Sequence, residues 1–135
     1  MYSQNNEQEI LNQAALLAVD LYTEEVLSKA NSLSNVSHKR TESPEFKQTM
    51  KSVRDELEKN VQAKRSICAA LGSVKNDLFE VTKITGAALL PLSICGVVAI
   101  PITPLAFAVA GLIVFNAGIS AYCSEFTSGE KRLAL

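Results

Sequence analysis

The sequence predicts an all-α protein in which two amphipathic helices are followed by a hydrophobic helical hairpin that spans a membrane. Three observations lead to this prediction. Residues 84–124 contain no Asp, Glu, Lys, Arg or His, two prolines divide that segment into the apolar arms 84–100 and 105–122, and the preceding chain repeats apolar residues at steps of three and four. Each arm reaches roughly 26 Å as a helix, close to the roughly 30 Å hydrocarbon core of a bilayer.

The composition of the second arm indicates whether lipid or a protein core surrounds the hairpin. It is apolar on all sides apart from Asn116, Ser120 and Tyr122, and such a helix must be surrounded by other helices or by lipid. Only two other helices are predicted, each with one apolar stripe, so a soluble monomer is expected to expose a larger apolar patch than soluble proteins carry. We therefore expect a bilayer around the hairpin, with a soluble helical oligomer that buries the hairpin as an alternative.

Residues 1–43 are predicted to form an N-terminal amphipathic helix, from Glu7 to about Ala30, and a polar loop. The apolar positions of this helix recur at steps of three and four and share one broad face. They are Ile10, Leu11, Ala14, Ala15, Leu17, Ala18, Leu21, Tyr22 and Val26. Because the polar face carries few basic residues, we expect this helix to pack on a neighbouring helix rather than to lie on a membrane surface.

Residues 44–83 are predicted to form one long helix. Ser43 as the N-cap, Pro44 at the first helical position and Glu45 in the first turn mark its start. Apolar residues then alternate at steps of four and three, as in a coiled coil. We call this set the interaction seam, and it comprises Phe46, Met50, Val53, Leu57, Ile67, Leu71, Val74, Leu78 and Val81.

Asn60 and Lys64 interrupt the interaction seam, at positions where polar residues fix the register of coiled coils. No stop signal separates this helix from the first apolar arm, so it is expected to continue into the hairpin and to bend at Gly72 and Pro91. We expect the seam to pack antiparallel against the first helix within one chain. Binding of the seam to a second copy or to another helical protein is the alternative.

Residues 84–124 form the predicted hairpin. Its turn is assigned to Pro101, Thr103 and Pro104, because two prolines end one helix and permit a tight reversal. Small residues at steps of four and seven allow helices to approach closely in lipid. Together with one polar side chain they form the predicted packing face, which comprises Ala88, Cys95, Ala99, Ala106, Ala110, Asn116, Ala117 and Ala121. Folding about the turn puts Asn116 near the level of Leu89, where we expect an interhelical hydrogen bond.

Residues 125–135 are a short polar tail. The turn of the hairpin carries no charge, whereas its open end is flanked by Lys75, Lys83, Lys131 and Arg132. The positive-inside rule then predicts a multi-pass membrane protein with both termini in the cytosol.

The chain has three cysteines, Cys68, Cys95 and Cys123. Folding about the predicted turn puts Cys95 and Cys123 at different levels of the hairpin, so a disulfide between them is out of reach. We expect the thiols to be small core residues of a reducing compartment.

The sequence contains no pattern typical of a catalytic site, a metal site or a nucleic-acid-binding surface. A net charge of −1, interspersed charges and the absence of Trp argue against nucleic-acid binding. There is one histidine, His38, and no metal-ligand spacing, phosphate-binding loop or nucleophile motif. Asp55, Glu56 and Glu58 stand among Lys and Arg, as is typical of a solvated helix face. We therefore predict no enzymatic activity, no cofactor, no metal and no small-molecule substrate.

The two arms and their short turn, residues 84–122, resemble two groups of proteins in architecture. One group comprises proteins with a bilobed hydrophobic hairpin and an adjoining coiled coil, which intracellular bacteria place in host-derived membranes. The other comprises colicin-type pore formers, whose buried hydrophobic hairpin is shielded in solution by many more helices than this chain offers. The resemblance involves no diagnostic motif.

Two functional hypotheses follow. The first is a non-enzymatic membrane-anchored scaffold, in which the hairpin sits in the lipid bilayer and the interaction seam binds itself or a helical partner. The second is a pore-forming or membrane-perturbing protein, such as a secreted effector or toxin, with Ser93, Asn116 and Ser120 lining a channel. We favour the scaffold because the arms offer few polar side chains for a water-filled path.

Overall fold

The computed structural model describes residues 4–30, 43–72, 74 and 77–124. These residues contain helices and no strand, which confirms the all-α prediction. In chain order the helices are α1 (Gln4–Ala30), α2 (Pro44–Lys59), α3 (Val61–Ala70), α4 (Leu78–Ile94), α5 (Pro104–Ala117) and the single turn α6 (Ile119–Tyr122).

Helix α5 lies at the centre of the bundle. It packs against α1, α2 and α4, while α1 also packs on α4 and α3 covers another part of α4. As a result α5 is buried almost all around, at Ala106, Phe107, Ala108, Val109, Ala110, Gly111, Leu112 and Val114. A helix with no polar face is therefore accommodated by neighbouring helices of the same chain.

The prediction of a multi-pass membrane protein is wrong. Across residues 4–30, 43–72, 74 and 77–124, no helix combines the length and the apolar character needed to cross a membrane. Helix α4 ends at Ile94, close to Gly96 with a φ of 77°, and α5 ends at Gly118 with a φ of 87°. Both glycines adopt the left-handed conformation that stops a helix. Only residues 84–94 of the first arm are helical, as the end of α4, and Gly118 divides the second arm into α5 and α6.

The long helix predicted for residues 44–83 is instead divided into α2, α3 and the start of α4. The first break is at Asn60, whose φ of −99° and ψ of 97° are extended and whose side-chain Oδ1 accepts the N–H of Ala63 at 3.0 Å. The second break follows Leu71, and Asp77 caps α4 by accepting the N–H of Phe79 at 3.2 Å. The polar residue that interrupts the seam is therefore a new helix cap.

Because of these breaks, the interaction seam packs against the apolar helices α4 and α5. Seven of its residues are buried and the other two, Met50 and Val74, pack against the core. Helix α2 packs on α5 and α3 packs on α4, whereas α1 makes its own contacts with α4 and α5. The seam and α1 were predicted to pair with each other, but each instead packs on α4 and α5. Because α1, α2 and α3 are separate helices, together they enclose apolar surface of α4 and α5 that one continuous helix would have left exposed.

The predicted start of α2 is confirmed. Ser43 Oγ accepts the N–H of Phe46 at 3.1 Å, and Pro44 is the first helical residue. The same arrangement begins α5, where Thr103 Oγ1 accepts the N–H of Ala106 at 3.2 Å ahead of Pro104. Each serine or threonine satisfies an N–H that would otherwise lack a partner in the first turn.

Helices α4 and α5 are antiparallel and approach closely at glycines. A Cβ built on Gly111 would lie 2.7 Å from both Cα and Cβ of Thr82, and one built on Gly86 would lie 3.6 Å from Cβ of Phe107. The turn predicted at residues 101–104 falls within the longer connection 95–103. Because α4 stops early, the register differs from the predicted one, and Asn116 is exposed instead of lying beside Leu89.

Two hydroxyl groups are buried in this contact region without partners. Thr82 and Thr85 are fully buried, and neither Oγ1 atom makes a hydrogen bond. A buried hydroxyl without a partner costs about 1–3 kcal/mol. We therefore expect Thr82→Val, which keeps the side-chain shape, to raise the free energy of unfolding by about 1 kcal/mol in urea titrations.

Thr23→Val is the matched control, because the Thr23 hydroxyl is exposed and donates to the Val19 carbonyl oxygen at 2.8 Å. We expect no stabilisation from that change. A Thr82→Val protein less stable than the parent would contradict the absence of a partner for Thr82 Oγ1.

Candidate interaction surface

Helix α1 carries apolar residues on two sides. Its inner side, with Leu11, Ala14, Ala18 and Leu21, is buried against the bundle. We call the second set the outer stripe, and it comprises Leu16, Val19, Tyr22 and Val26, which are 58%, 36%, 39% and 46% exposed. Steps of three and four residues place these four on one side of a helix.

The outer stripe adjoins a cleft between α1, α2 and α5. The cleft has a volume of about 410 Å³ and is lined by Leu21, Tyr22, Glu25, Val26, Phe46, Met50, Leu112 and Asn116. Tyr22 and Val26 belong to both features, so stripe and cleft form one apolar surface. The Tyr22 ring is held edge-on against Phe115, with 5.6 Å between the ring centroids.

Between Glu7 and Val26 the charged residues of α1 are all acidic, and Lys29 in its last turn is basic. The acidic residues are Glu7, Glu9, Asp20, Glu24 and Glu25. Glu25 lies at the cleft itself. The outer stripe therefore lies among the acidic side chains of residues 7–26, which favours ligands with positive charge beside an apolar face.

A second cleft lies between the first turns of α1 and the last turns of α4. Its volume is about 660 Å³, and it is lined by Glu7, Gln8, Leu11, Ala87, Leu90, Pro91 and Ile94. Glu7 is the one ionisable side chain in this lining. Within the part of the chain that the structure describes, no group of three or more His, Cys, Asp or Glu residues is placed to hold a metal ion.

Glu56 and Asn60 form a polar clamp that the sequence analysis missed. Glu56 is only 6% exposed, although it was expected on a solvated face. Its Oε2 accepts the N–H of Ala99 at 3.1 Å and Nδ2 of Asn60 at 3.3 Å, and Asn60 Nδ2 also donates to the Val97 carbonyl oxygen at 2.9 Å. Glu56 lies one turn from Val53 and Asn60, so its position on the seam side of the helix was the available signal. The clamp ties the α2–α3 junction to the α4–α5 connection.

These contacts hold the pKa of Glu56 below its ordinary value of 4.5. The hydrogen bond from the Ala99 backbone is the largest cause, while burial opposes it and Asn60 and Lys59 add smaller contributions. A lowered pKa means that the carboxylate stabilises the fold above about pH 4.5 and that this stabilisation is lost as the pH falls through the folded-state pKa.

Glu56→Gln tests this clamp. We expect the change to lower the free energy of unfolding at pH 7 by about 1–3 kcal/mol, because a charge-assisted hydrogen bond is lost from a buried site. It should also flatten the loss of stability that the parent protein shows as the pH falls below about 4.5. Glu58→Gln, at an exposed position of the same helix, is the control. Equal stability and equal acid sensitivity in the two variants would contradict the clamp.

Cys68 and Cys123 form a disulfide, with their Cα atoms 5.6 Å apart and a sequence separation of 55. The expectation of reduced core thiols is therefore wrong for both residues. It assumed that Cys68 lay on a long rod, whereas the helix breaks and the return of α5 bring Cys123 to α3. Cys95 is free and exposed.

The predicted packing face divides in the structure. Ala106 and Ala110 are buried and Ala88 is partly buried, whereas the exposed members are Cys95, Ala99, Asn116, Ala117 and Ala121. In the predicted turn, Pro101 and Thr103 are exposed and Pro104 is partly buried. The closest helix approach uses Gly86 and Gly111, which the small-residue pattern did not select.

Comparison of the chain with known protein families, with curated proteins and with solved structures finds no match. The outer stripe and its cleft are therefore the features from which a function has to be inferred.

Proposed function

We propose that this chain is a non-enzymatic interaction module whose outer stripe and adjoining cleft bind an amphipathic helix of a partner protein. The observation that supports this proposal most directly is the exposure of Leu16, Val19, Tyr22 and Val26 on a helix that is already buried along its other side. Their spacing matches the three- and four-residue repeat by which one helix packs on another. The cleft offers room for an apolar anchor of that partner, as binding hot spots require.

The charge of α1 favours a partner with basic residues beside its apolar face. Glu9 lies on the side of α1 next to Leu16, and Glu25 lies at the cleft. Lys or Arg on the bound helix would complement these carboxylates, whereas a second copy of the chain would place two acidic helices against each other. Self-association through α1 is therefore the less favourable arrangement.

Two designed peptides test the proposal. Both are amphipathic helices with the same leucine face, but one is flanked by Lys and Arg and the other by Glu. We expect the basic peptide to bind at least about tenfold more tightly in fluorescence anisotropy, and we expect this preference to shrink at high salt. Equal binding of both peptides, or binding of neither, would contradict the proposal, and sedimentation of the protein alone reports any self-association.

Substitution in the outer stripe locates the binding. Leu16→Asp is expected to weaken binding of the basic peptide at least about tenfold, because it removes an apolar side chain whose burial contributes about 1.5–3 kcal/mol. Val61→Asp is the matched control, because Val61 on α3 is also 58% exposed and lies on a different helix from the stripe. A larger effect from Val61→Asp than from Leu16→Asp would place the binding surface elsewhere.

A further inference from the structure

The described chain ends in a segment that few non-covalent contacts hold in place. Helix α6 has four residues, none of them buried, and its N-cap Gly118 has no side chain to cap it. A single helical turn is unstable by itself, because fixing its backbone costs more than one or two hydrogen bonds return. Its position therefore depends on the partly buried Ile119, which packs against the core, and on attachments at its end.

Tyr122 and Cys123 provide those attachments. The Tyr122 ring is partly buried beneath the ammonium group of Lys64, with 5.2 Å from Nζ to the ring centroid. Its hydroxyl group has no hydrogen-bond partner, and burial raises the pKa of Tyr122 to about 12. A buried hydroxyl without a partner is unfavourable, which offsets part of what the ring contact contributes. Cys123 is buried and bonded to Cys68 of α3.

We propose that the Cys68–Cys123 disulfide is a redox-controlled latch, and that its reduction by a dithiol releases residues 118–124 from α3 while α1 to α5 stay folded. In the described residues the largest fully buried side chains belong to α1 to α5 and to Leu71, the C-cap of α3, and α6 supplies none. Helix α3 keeps its place on α4 through the buried residues Ala63 and Ile67. Loss of the covalent bond thus removes the anchor of α6, and Cys123 is the one buried residue that leaves its place with the segment.

The reaction is a thiol–disulfide exchange. A thiolate of the dithiol attacks Sγ of Cys68, which is the more exposed of the two bonded residues. A mixed disulfide forms, and Cys123 leaves as a thiolate that takes up a proton. The second thiol of the reductant then displaces Cys68, which is also protonated. The protein gains two electrons and two protons, and the dithiol becomes a disulfide.

Hydrogen exchange tests the latch in the full chain carrying Cys95→Ser, which removes the free thiol. In the structure the amides of Tyr122 and Cys123 donate to the carbonyl oxygens of Gly118 at 2.8 Å and Ile119 at 2.9 Å. We expect dithiothreitol to accelerate exchange of these two amides at least about tenfold, because they exchange by local opening. Amides in the middle of α5 should exchange at unchanged rates.

Two results would overturn the proposal. Unchanged exchange at Tyr122 and Cys123 after complete reduction would show that packing alone holds α6. Accelerated exchange throughout α5 would show that the disulfide maintains the whole fold. The further variant Cys68→Ser cannot close the latch, so fast exchange at residues 118–123 is expected with and without dithiothreitol. Slow exchange there in Cys68→Ser would also contradict the latch.

Discussion

Phe107→Ala is expected to lower the free energy of unfolding by about 3–5 kcal/mol, the largest effect among the changes considered for this chain. Phe107 is fully buried on α5, at the level where Gly86 of α4 approaches. Removing its ring leaves a cavity between helices that are held on several sides and therefore cannot collapse to fill it. Chemical denaturation followed by circular dichroism measures this loss.

Phe79→Ala is the control for that experiment. Phe79 is only partly buried near the start of α4, and its ring contacts Lys83 Nζ at 5.5 Å from the centroid. We expect a loss of about 1 kcal/mol or less, since an exposed cation–π contact contributes little. If both phenylalanine changes had similar effects, Phe107 would not lie in an enclosed core.

Gly111→Ala is expected to cost roughly 2 kcal/mol, although alanine is the better helix former by about 1 kcal/mol. The added Cβ would lie 2.7 Å from Cα of Thr82, and a backbone atom cannot move aside as a side chain can. Helices α4 and α5 would have to separate along their whole contact. Thermal denaturation should show a lower midpoint for this variant.

Gly72→Ala is the matched control for Gly111→Ala. Gly72 is exposed, and the nearest atom to a Cβ built there is the Ala69 carbonyl oxygen at an ordinary 3.6 Å. We expect a change within about 0.5 kcal/mol, as for most surface positions. A Gly111→Ala protein as stable as the Gly72→Ala protein would argue against the close approach of α4 to α5.

Local patterns in the sequence were sufficient to predict that the chain is helical and to identify many of its buried residues. The three- and four-residue steps selected Leu57, Ile67 and Leu71, which are buried. The Ser43–Pro44 pair placed the start of α2 correctly. These signals act within a few residues of the chain, so they do not depend on how the helices are arranged in space.

The arrangement of the helices could not be obtained in the same way. Asn60 was recognised as a polar interruption, but its role as a helix cap depends on the extended backbone at that residue. Once the helix breaks there, the interaction seam can cover α4 and α5 within one chain. The membrane prediction failed at this step, because it assumed one rod and found too little surface to enclose two apolar arms.

The features that suggest function were the hardest to predict. Tyr22 and Val26 were assigned to the buried face of the first helix because they fit its three- and four-residue pattern, and Leu16 and Val19 were not selected. Only the packing of α1 against α4 and α5 shows which residues remain exposed. The Cys68–Cys123 bond and the Glu56–Ala99 contact join residues far apart in sequence, and no local pattern marks them.

The central structural claim is that α4 and α5 pack antiparallel inside one chain, with Thr82 against Gly111. Nuclear Overhauser spectroscopy on isotopically diluted protein tests it most directly, because dilution removes contacts between chains. We predict a strong intrachain effect between the Hβ proton of Thr82 and the Gly111 α protons, because a Cβ built on Gly111 would lie 2.7 Å from Cβ of Thr82. Absence of that signal, with Asn116 instead contacting Leu89 as in a hairpin folded about Pro101 to Pro104, would contradict the account.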